Sequence, residues 1–294
     1  MNTRAASVAA PRRLALAPYL ELTKPRLSLF VLVVVFLSGW MAAGGAYAVV
    51  WHAVLATGLV AGGANALNMY FERRHDANMR RTAGRPLPSG RLTPREVLGF
   101  GVLCTVAGVT WLALATTPLA ALLGASTSVL YLAVYTPLKR FTTLNTHVGA
   151  IPGALPALIG WAAVANRIDG PAWGLFWIVF VWQLPHFLAI AWIYRHDYAG
   201  AGYRMLPSVD PSGVMTGRQA VLGALALLAV SVMPALSAER GLVYMVGALL
   251  LGAYFVRHAM RFALQRDVAR ARVLMRASLI YLPLLLGLIA LTGR

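Results

Sequence analysis

Residues Asn65 to Arg91 read NALNMYFERRHDANMRRTAGRPLPSGR, and here a long apolar run ends in acids and then in arginines. The run begins near residue 47 and is long enough to cross a bilayer, whose hydrocarbon core needs about 20 apolar residues of helix. Its end carries Asn68, Glu72 and Asp76 at four-residue intervals. On a helix each interval advances about 400° and about 6 Å, so the three side chains climb one face over two turns. Two carboxylates and an amide at a membrane boundary are costly without partners, which makes a functional reading the default. Oxygen ligands so spaced suit Mg²⁺ carrying a diphosphate, with nearby arginines to hold the phosphate oxygens. A solvated helix end, with Glu72 and Asp76 paired to Arg73, Arg80 or Arg81, accounts for the same letters.

The rest of the chain sets this boundary in a membrane protein. Of 294 residues, 59% are apolar and 12% charged, far from the usual soluble balance. Nine apolar runs are long enough to span: 27–45, 47–70, 97–115, 119–138, 146–166, 171–193, 218–237, 241–258 and 273–291. The expectation is an all-α polytopic membrane protein, because helices satisfy their own backbone groups in lipid. No hydrophilic linker divides it, so 1–294 reads as a single membrane-embedded domain with a basic cytoplasmic tail at 1–24.

A net charge of +17 invites a nucleic-acid reading, but its distribution excludes one. Counting loops alternately along the nine spans, 23 of the 26 Lys and Arg residues fall on one side. Only Arg167, Arg240 and Arg294 fall on the other. This is the positive-inside pattern, with the N-terminus in the cytoplasm and the C-terminus outside. The basic balance therefore reports topology and attraction to anionic lipid. A bacterial inner membrane is the expected location. The arginine-bearing, acid-free start resembles a mitochondrial presequence in composition, but Pro11 and Pro18 break it. Cys104, the single cysteine, lies in the third span and can form neither an internal disulfide nor a metal cluster.

The longest polar stretches, about 71–96 and 194–217, are both cytoplasmic in this topology, so chemistry is expected on that face. In the first, Arg80, Arg81, Arg85 and Arg91 surround Pro86-Leu87-Pro88-Ser89-Gly90. Guanidinium groups take phosphate oxygens in pairs, and a stiff loop limits the entropy lost in holding them. Lys139 and Arg140, after Tyr135-Thr136-Pro137-Leu138, could close a diphosphate site from a neighbouring helix or could simply snorkel to the interface. A third cluster comprises Gln183, His186, Asp197 and Tyr198. His186 behind Pro185 is an unusual imidazole in an apolar span. It could ligate a metal such as haem iron, transfer a proton, or bond a neighbouring carbonyl. Asp197 could ligate Mg²⁺ or pair with Arg195. The ends of the second and sixth spans echo one another faintly, which suggests two polar helix ends facing across one cavity.

Together these segments resemble the UbiA superfamily of intramembrane prenyltransferases. The resemblance runs from Leu22-Thr23-Lys24-Pro25-Arg26 to Met205-Leu206-Pro207. Its sharpest parts are NMYFERRHDANMRRTAGRPLPSGR at 68–91, YTPLKR at 135–140, and WQLPHF with DYAGAGYRMLP within 182–207. It implies a UbiA-type bundle of nine transmembrane helices around a cavity open to the cytoplasmic side. It also implies that Asn68, Glu72 and Asp76 bind Mg²⁺ and a prenyl diphosphate, with Arg81, Arg85, Lys139 and Arg140 near the diphosphate. Position 72 is Glu where the superfamily pattern usually has Asp.

In members acting on aromatic acids the sixth helix and following loop carry several aspartates. Here His186 stands in place of the first, and Asp197 is the main surviving acid. That difference fits the haem-modifying branch and counts against 4-hydroxybenzoate. It implies farnesyl diphosphate as donor and protohaem IX as acceptor, with water completing a hydroxyethylfarnesyl group and His186 contacting haem. Asp197 joins Asn68, Glu72 and Asp76 as a candidate catalytic residue. A haem A synthase or the assembly machinery of a haem-copper oxidase becomes a potential partner. Other readings are another aromatic acceptor, a secondary transporter, or a non-catalytic oxidase assembly factor. A transporter would hold its acids near the midplane, whereas these gather at cytoplasmic helix ends.

Overall fold

The computed structural model describes residues 16–236 and 239–292. Most of the basic tail and the terminal Arg294 lie outside the described residues. Among the described residues thirteen α-helices follow in order. They are α1 (Leu16–Leu22), α2 (Pro25–Ala42), α3 (Tyr47–Asp76), α4 (Pro94–Ala115), α5 (Pro118–Val129), α6 (Thr136–Leu138) and α7 (Asn145–Ala165). After these come α8 (Gly170–Ile193), α9 (Arg195–Gly200), α10 (Leu206–Val209), α11 (Val214–Val232), α12 (Gly241–Gln265) and α13 (Val268–Thr292). A π-helical segment, Leu130–Tyr135, welds α5 to α6. Among the described residues, nine helical spans are long and apolar enough to cross a membrane.

The expected number of spans holds, and several boundaries move. The helix of the second span does not end with its apolar run at residue 70: α3 continues to Asp76, so the acids sit on one helix, as their four-residue spacing implies. They can remain helical there because each finds a cation, described below. The third span starts earlier, at Pro94, where Thr93 and Glu96 form a capping box that satisfies the first free N–H groups. The last two spans lengthen to Gln265 and from Val268, since arginines near a helix end can reach the interface along their stems.

Small residues let these helices approach. Gly63, Gly101 and Gly108 face the opposite backbone across the α3–α4 contact, and Gly39 and Gly160 do so across α2–α7. In lipid, association rests on such packing because tails are as apolar as leucine. Large apolar side chains point outward on most spans, among them Leu103, Leu114, Leu222, Leu250 and Leu284. The inner faces of α2, α3, α5, α7 and α8, with the π-helical segment, instead wall a central cavity.

Candidate active site

The cavity has a volume of about 510 Å³, within the range of small-molecule sites. Its cytoplasmic end is polar. Asn68, Glu72 and Asp76 all line it and are nearly inaccessible, with Asp76 at 0% exposure. The 400° step places them in a column, and each meets a group from another part of the chain. Glu72 Oε1 accepts from Lys139 Nζ at 2.7 Å, and Asp76 Oδ2 accepts from Arg85 at 2.6 Å. Asn68 accepts from Lys24 Nζ at 3.4 Å and donates to Thr136 Oγ1 at 3.0 Å. Asp76 Oδ1 is buried with no hydrogen-bond partner among the described residues.

Local structure aims these cations. Lys24 has φ 48°, a left-handed conformation costing a non-glycine residue about 1–2 kcal/mol. The following Pro25 disfavours the right-handed helical region at that position. The bend is held by Ser28 Oγ donating to Thr23 O at 2.6 Å and by Asn65 Nδ2 donating to the same carbonyl at 3.3 Å. It sends the Lys24 side chain into the cavity. Burial, then the neighbouring Arg85, lower its ammonium pKa to about 7.

Lys139 follows α6 and is pinned by Arg204 N–H, which donates to Lys139 O at 2.7 Å. Its Nζ lies 4.5 Å from the Tyr135 ring centroid. Burial opposes its charge, yet Tyr135, Glu72 and Tyr131 outweigh burial and raise its pKa. Thr136 Oγ donates five residues back to Tyr131 O at 2.8 Å. The π-helical segment turns Tyr131 and Tyr135 into the cavity wall, a placement that such segments often serve at functional sites. Arg81 donates to the Tyr198 hydroxyl at 3.1 Å and stacks 4.7 Å from the Tyr194 ring.

Deeper in the cavity the lining is mostly apolar, broken by the hydroxyls of Thr57 and Thr127 and by Gln183 and His186 on α8. His186 Nδ1 lies 2.7 Å from Ser278 Oγ, and the imidazole stacks on Trp182 at 4.9 Å. The two polar helix ends suggested by the faint internal echo thus face one cavity.

Two expected site residues stand apart. Arg140 is exposed and Asp197 half-buried, and neither lines the cavity. In each case the adjacent residue, Lys139 or Tyr198, takes the inward direction, and one residue's rotation points the neighbour elsewhere. Arg91 also faces away, clamping the loop by donating to Gly84 O at 2.6 Å and pairing with Glu21. Conversely Lys24, Thr136 and Tyr131, and Tyr203, which also lines the cavity, were not singled out by spacing. The one available signal for Lys24 was a cation immediately before a proline at a span's start.

The donor set bears directly on a metal. Among the described residues no three His, Cys, Asp or Glu side chains cluster as a self-sufficient metal site. Two carboxylates and an amide do converge, with one carboxylate oxygen unsatisfied. That set fits Mg²⁺, which is typically bound by one or two carboxylates together with substrate phosphates and water.

This bundle and its acid-and-cation cavity define an intramembrane prenyltransferase, and the chain belongs to the UbiA prenyltransferase family, which matches residues 30–282. Relatives within that family sharpen the comparison. The chain is 46% identical over 286 residues to the protoheme IX farnesyltransferase of Solibacter usitatus (strain Ellin6076), covering 93% of this chain and 97% of that protein. It is 43% identical to the protoheme IX farnesyltransferase of Salinibacter ruber (strain DSM 13855 / M31), covering 93% and 96%. In fold it is similar to a digeranylgeranylglyceryl phosphate synthase, with a TM-score of 0.76 at 15% identity over 95% of this chain and 98% of that one. A UbiA homolog from Archaeoglobus fulgidus bound to GPP and Mg²⁺ aligns with a TM-score of 0.63 at 15% identity, covering 92% and 99%.

Proposed function

We propose that the chain transfers a farnesyl group from farnesyl diphosphate to a vinyl group of protohaem IX, with addition of water, giving haem O and diphosphate. The observation that carries this reading is one cavity joining an acid-and-cation end to a long apolar interior with a lone imidazole. Identity of 39–46% to proteins bearing the protoheme IX farnesyltransferase name supports the choice of substrates.

Asn68, Glu72 and Asp76 would hold Mg²⁺ together with the diphosphate oxygens. When bound, Mg²⁺ supplies charge neutralisation for the departing diphosphate. Lys139, Arg85, Arg81 and Lys24 surround the same end and would bind the remaining phosphate charge, which lowers the barrier to C–O cleavage. Thr136 holds the Asn68 amide in place. The rings of Tyr131 and Tyr135 wall the cavity beside Lys139, where their faces can stabilise an allylic cation. The apolar interior takes the farnesyl chain and porphyrin and limits premature capture of that cation by water. His186 stands on the acceptor side of the cavity. Arg140 and Asp197, outside the cavity wall, are assigned to the cytoplasmic rim, where Arg140 can meet a haem propionate.

The protein acts as a single membrane-embedded domain of a bacterial inner membrane with its N-terminus in the cytoplasm. A haem A synthase or oxidase-assembly protein is the proposed recipient of the product. Diphosphate release with haem, compared with release in the presence of 4-hydroxybenzoate, tests the acceptor. Release driven by 4-hydroxybenzoate and indifferent to haem would contradict the proposal.

A further inference from the structure

Two polar groups on the α8 wall of the cavity, Gln183 and His186, are wired so that each offers it only a hydrogen-bond acceptor. Gln183 Nε2 donates to Ala150 O and to Val179 O, both at 3.1 Å. Two carbonyls can only accept, so these contacts fix which end of the amide is nitrogen. Both amide protons are consumed, and Oε1 is left. Gly153 makes room for it, since a Cβ there would collide with Oε1.

His186 is fixed by the same logic. Ser278 Oγ lies 2.6 Å from Met275 O, a distance that requires the single hydroxyl proton to sit between them. Ser278 can therefore only accept from His186 Nδ1–H at 2.7 Å. The imidazole then carries its proton on Nδ1 and a bare lone pair on Nε2. Trp182 locks this arrangement: it stacks on His186 and on Phe30 and donates to Ser278 O at 2.8 Å. Among the described residues the side-chain hydrogen bonds of this pair run only through Gln183 Nε2 and His186 Nδ1, which leaves Oε1 and Nε2 for the cavity that both residues line.

Gln183 and His186 are three residues apart on α8 and so share one face, with Cβ atoms about 5–6 Å apart. Two convergent acceptors repel a propionate, and an iron atom would satisfy only the nitrogen. A water molecule, with two protons to donate, satisfies both. We propose that Gln183 Oε1 and His186 Nε2 hold the water that hydrates the porphyrin-side cation, with His186 as its base.

This rests on the farnesyl-transfer reading. The outer vinyl carbon bonds to farnesyl C1 as the C1–O bond to diphosphate breaks, leaving the inner vinyl carbon positive. The water oxygen bonds that carbon, and its proton passes to His186 Nε2 and then to solvent. No oxidant or reductant is needed. Ser278 is a positioning residue, keeping the lone pair on the cavity side.

The test is product analysis by mass spectrometry in ¹⁸O-water with haem, farnesyl diphosphate and Mg²⁺. Wild type is expected to give a labelled hydroxyl product. His186→Ala and Gln183→Leu should still transfer farnesyl, but the cation should lose a proton instead, giving a product lighter by one water. The hydrated-to-dehydrated ratio should fall at least about tenfold, the lower end of the range for losing a positioned base being larger still. Ser278→Ala, which keeps both acceptors and frees the tautomer, should give an intermediate ratio. A wild-type ratio in both acceptor variants would overturn the proposal. So would a uniform loss of product at unchanged ratio with farnesyl diphosphate still bound, which would make the pair a haem-positioning device. Unmodified haem from wild type would overturn the farnesyl-transfer reading and this step together.

Discussion

At the scale of single residues, the buried ion pairs are poised for exchange. Asp76 and Glu72 are held by Arg85 and Lys139, yet among the described residues Asp76 keeps one buried oxygen unsatisfied. Asp76→Asn removes the charge while retaining shape, and turnover should fall at least about 100-fold, as for loss of one preorganised electrostatic group. Near-normal activity would move the metal site elsewhere. Lys139→Met leaves Glu72 buried and unpaired, a change costing about 3–5 kcal/mol in comparable cases. A lowered thermal midpoint in detergent, restored by adding Glu72→Gln, checks that cost. The acids, Arg81 and Arg85 left a trace in sequence, because helical spacing and a following basic loop mark them, whereas Lys139 stood out only through the YTPLKR resemblance. Lys24 left none, because before a span start it reads as positive-inside charge; only the bend at Pro25 turns it inward. Arg140 and Asp197 do not line the cavity, and spacing could not show this, because it does not say which of two adjacent residues faces inward.

At the scale of elements, the ends of the helices carry what hydropathy cannot see. The π-helical Leu130–Tyr135 segment has no distinguishing composition, since its register is set by Thr136 bonding back to Tyr131 and by Asn68 across the cavity. The extension of α3 to Asp76 was legible in the four-residue spacing of Asn68, Glu72 and Asp76, whereas hydropathy alone ended the apolar span at residue 70. The loop before α11 shows a more ordinary device. Asp210 accepts from Thr216 N–H at 2.8 Å, Thr216 Oγ at 2.9 Å and Ser212 Oγ at 2.9 Å. Burial works against its charge, but these hydrogen bonds outweigh burial and hold the carboxyl below its ordinary value of 3.8. A carboxylate with a lowered folded-state pKa stabilises above the unfolded value, and that contribution disappears as pH falls through the folded value. Asp210→Ala should therefore cost about 1 kcal/mol at pH 7, as for a helix cap. The difference from wild type should shrink below pH 3.8 in thermal denaturation. A gap that is constant with pH would assign Asp210 a packing role instead.

At the scale of the whole molecule, nine apolar spans and one-sided basic loops already specified a membrane bundle, and the described helices match that number. Span order and length are legible because lipid demands them, and two polar helix ends hint at a cavity; which side chains wall it is not legible, since that depends on which faces the glycine contacts bring together. The orientation makes its own prediction. Alkaline phosphatase fused to the C-terminus should be active and a fluorescent protein fused there dark, and the reverse would invert the cavity mouth. The central claim concerns chemistry, and mass analysis of haem tests it most directly. Purified protein supplied with haem, farnesyl diphosphate and Mg²⁺ should yield a product heavier by one farnesyl group and one water, and EDTA should abolish it. Unmodified haem from folded protein that instead prenylates another aromatic acceptor would contradict the account.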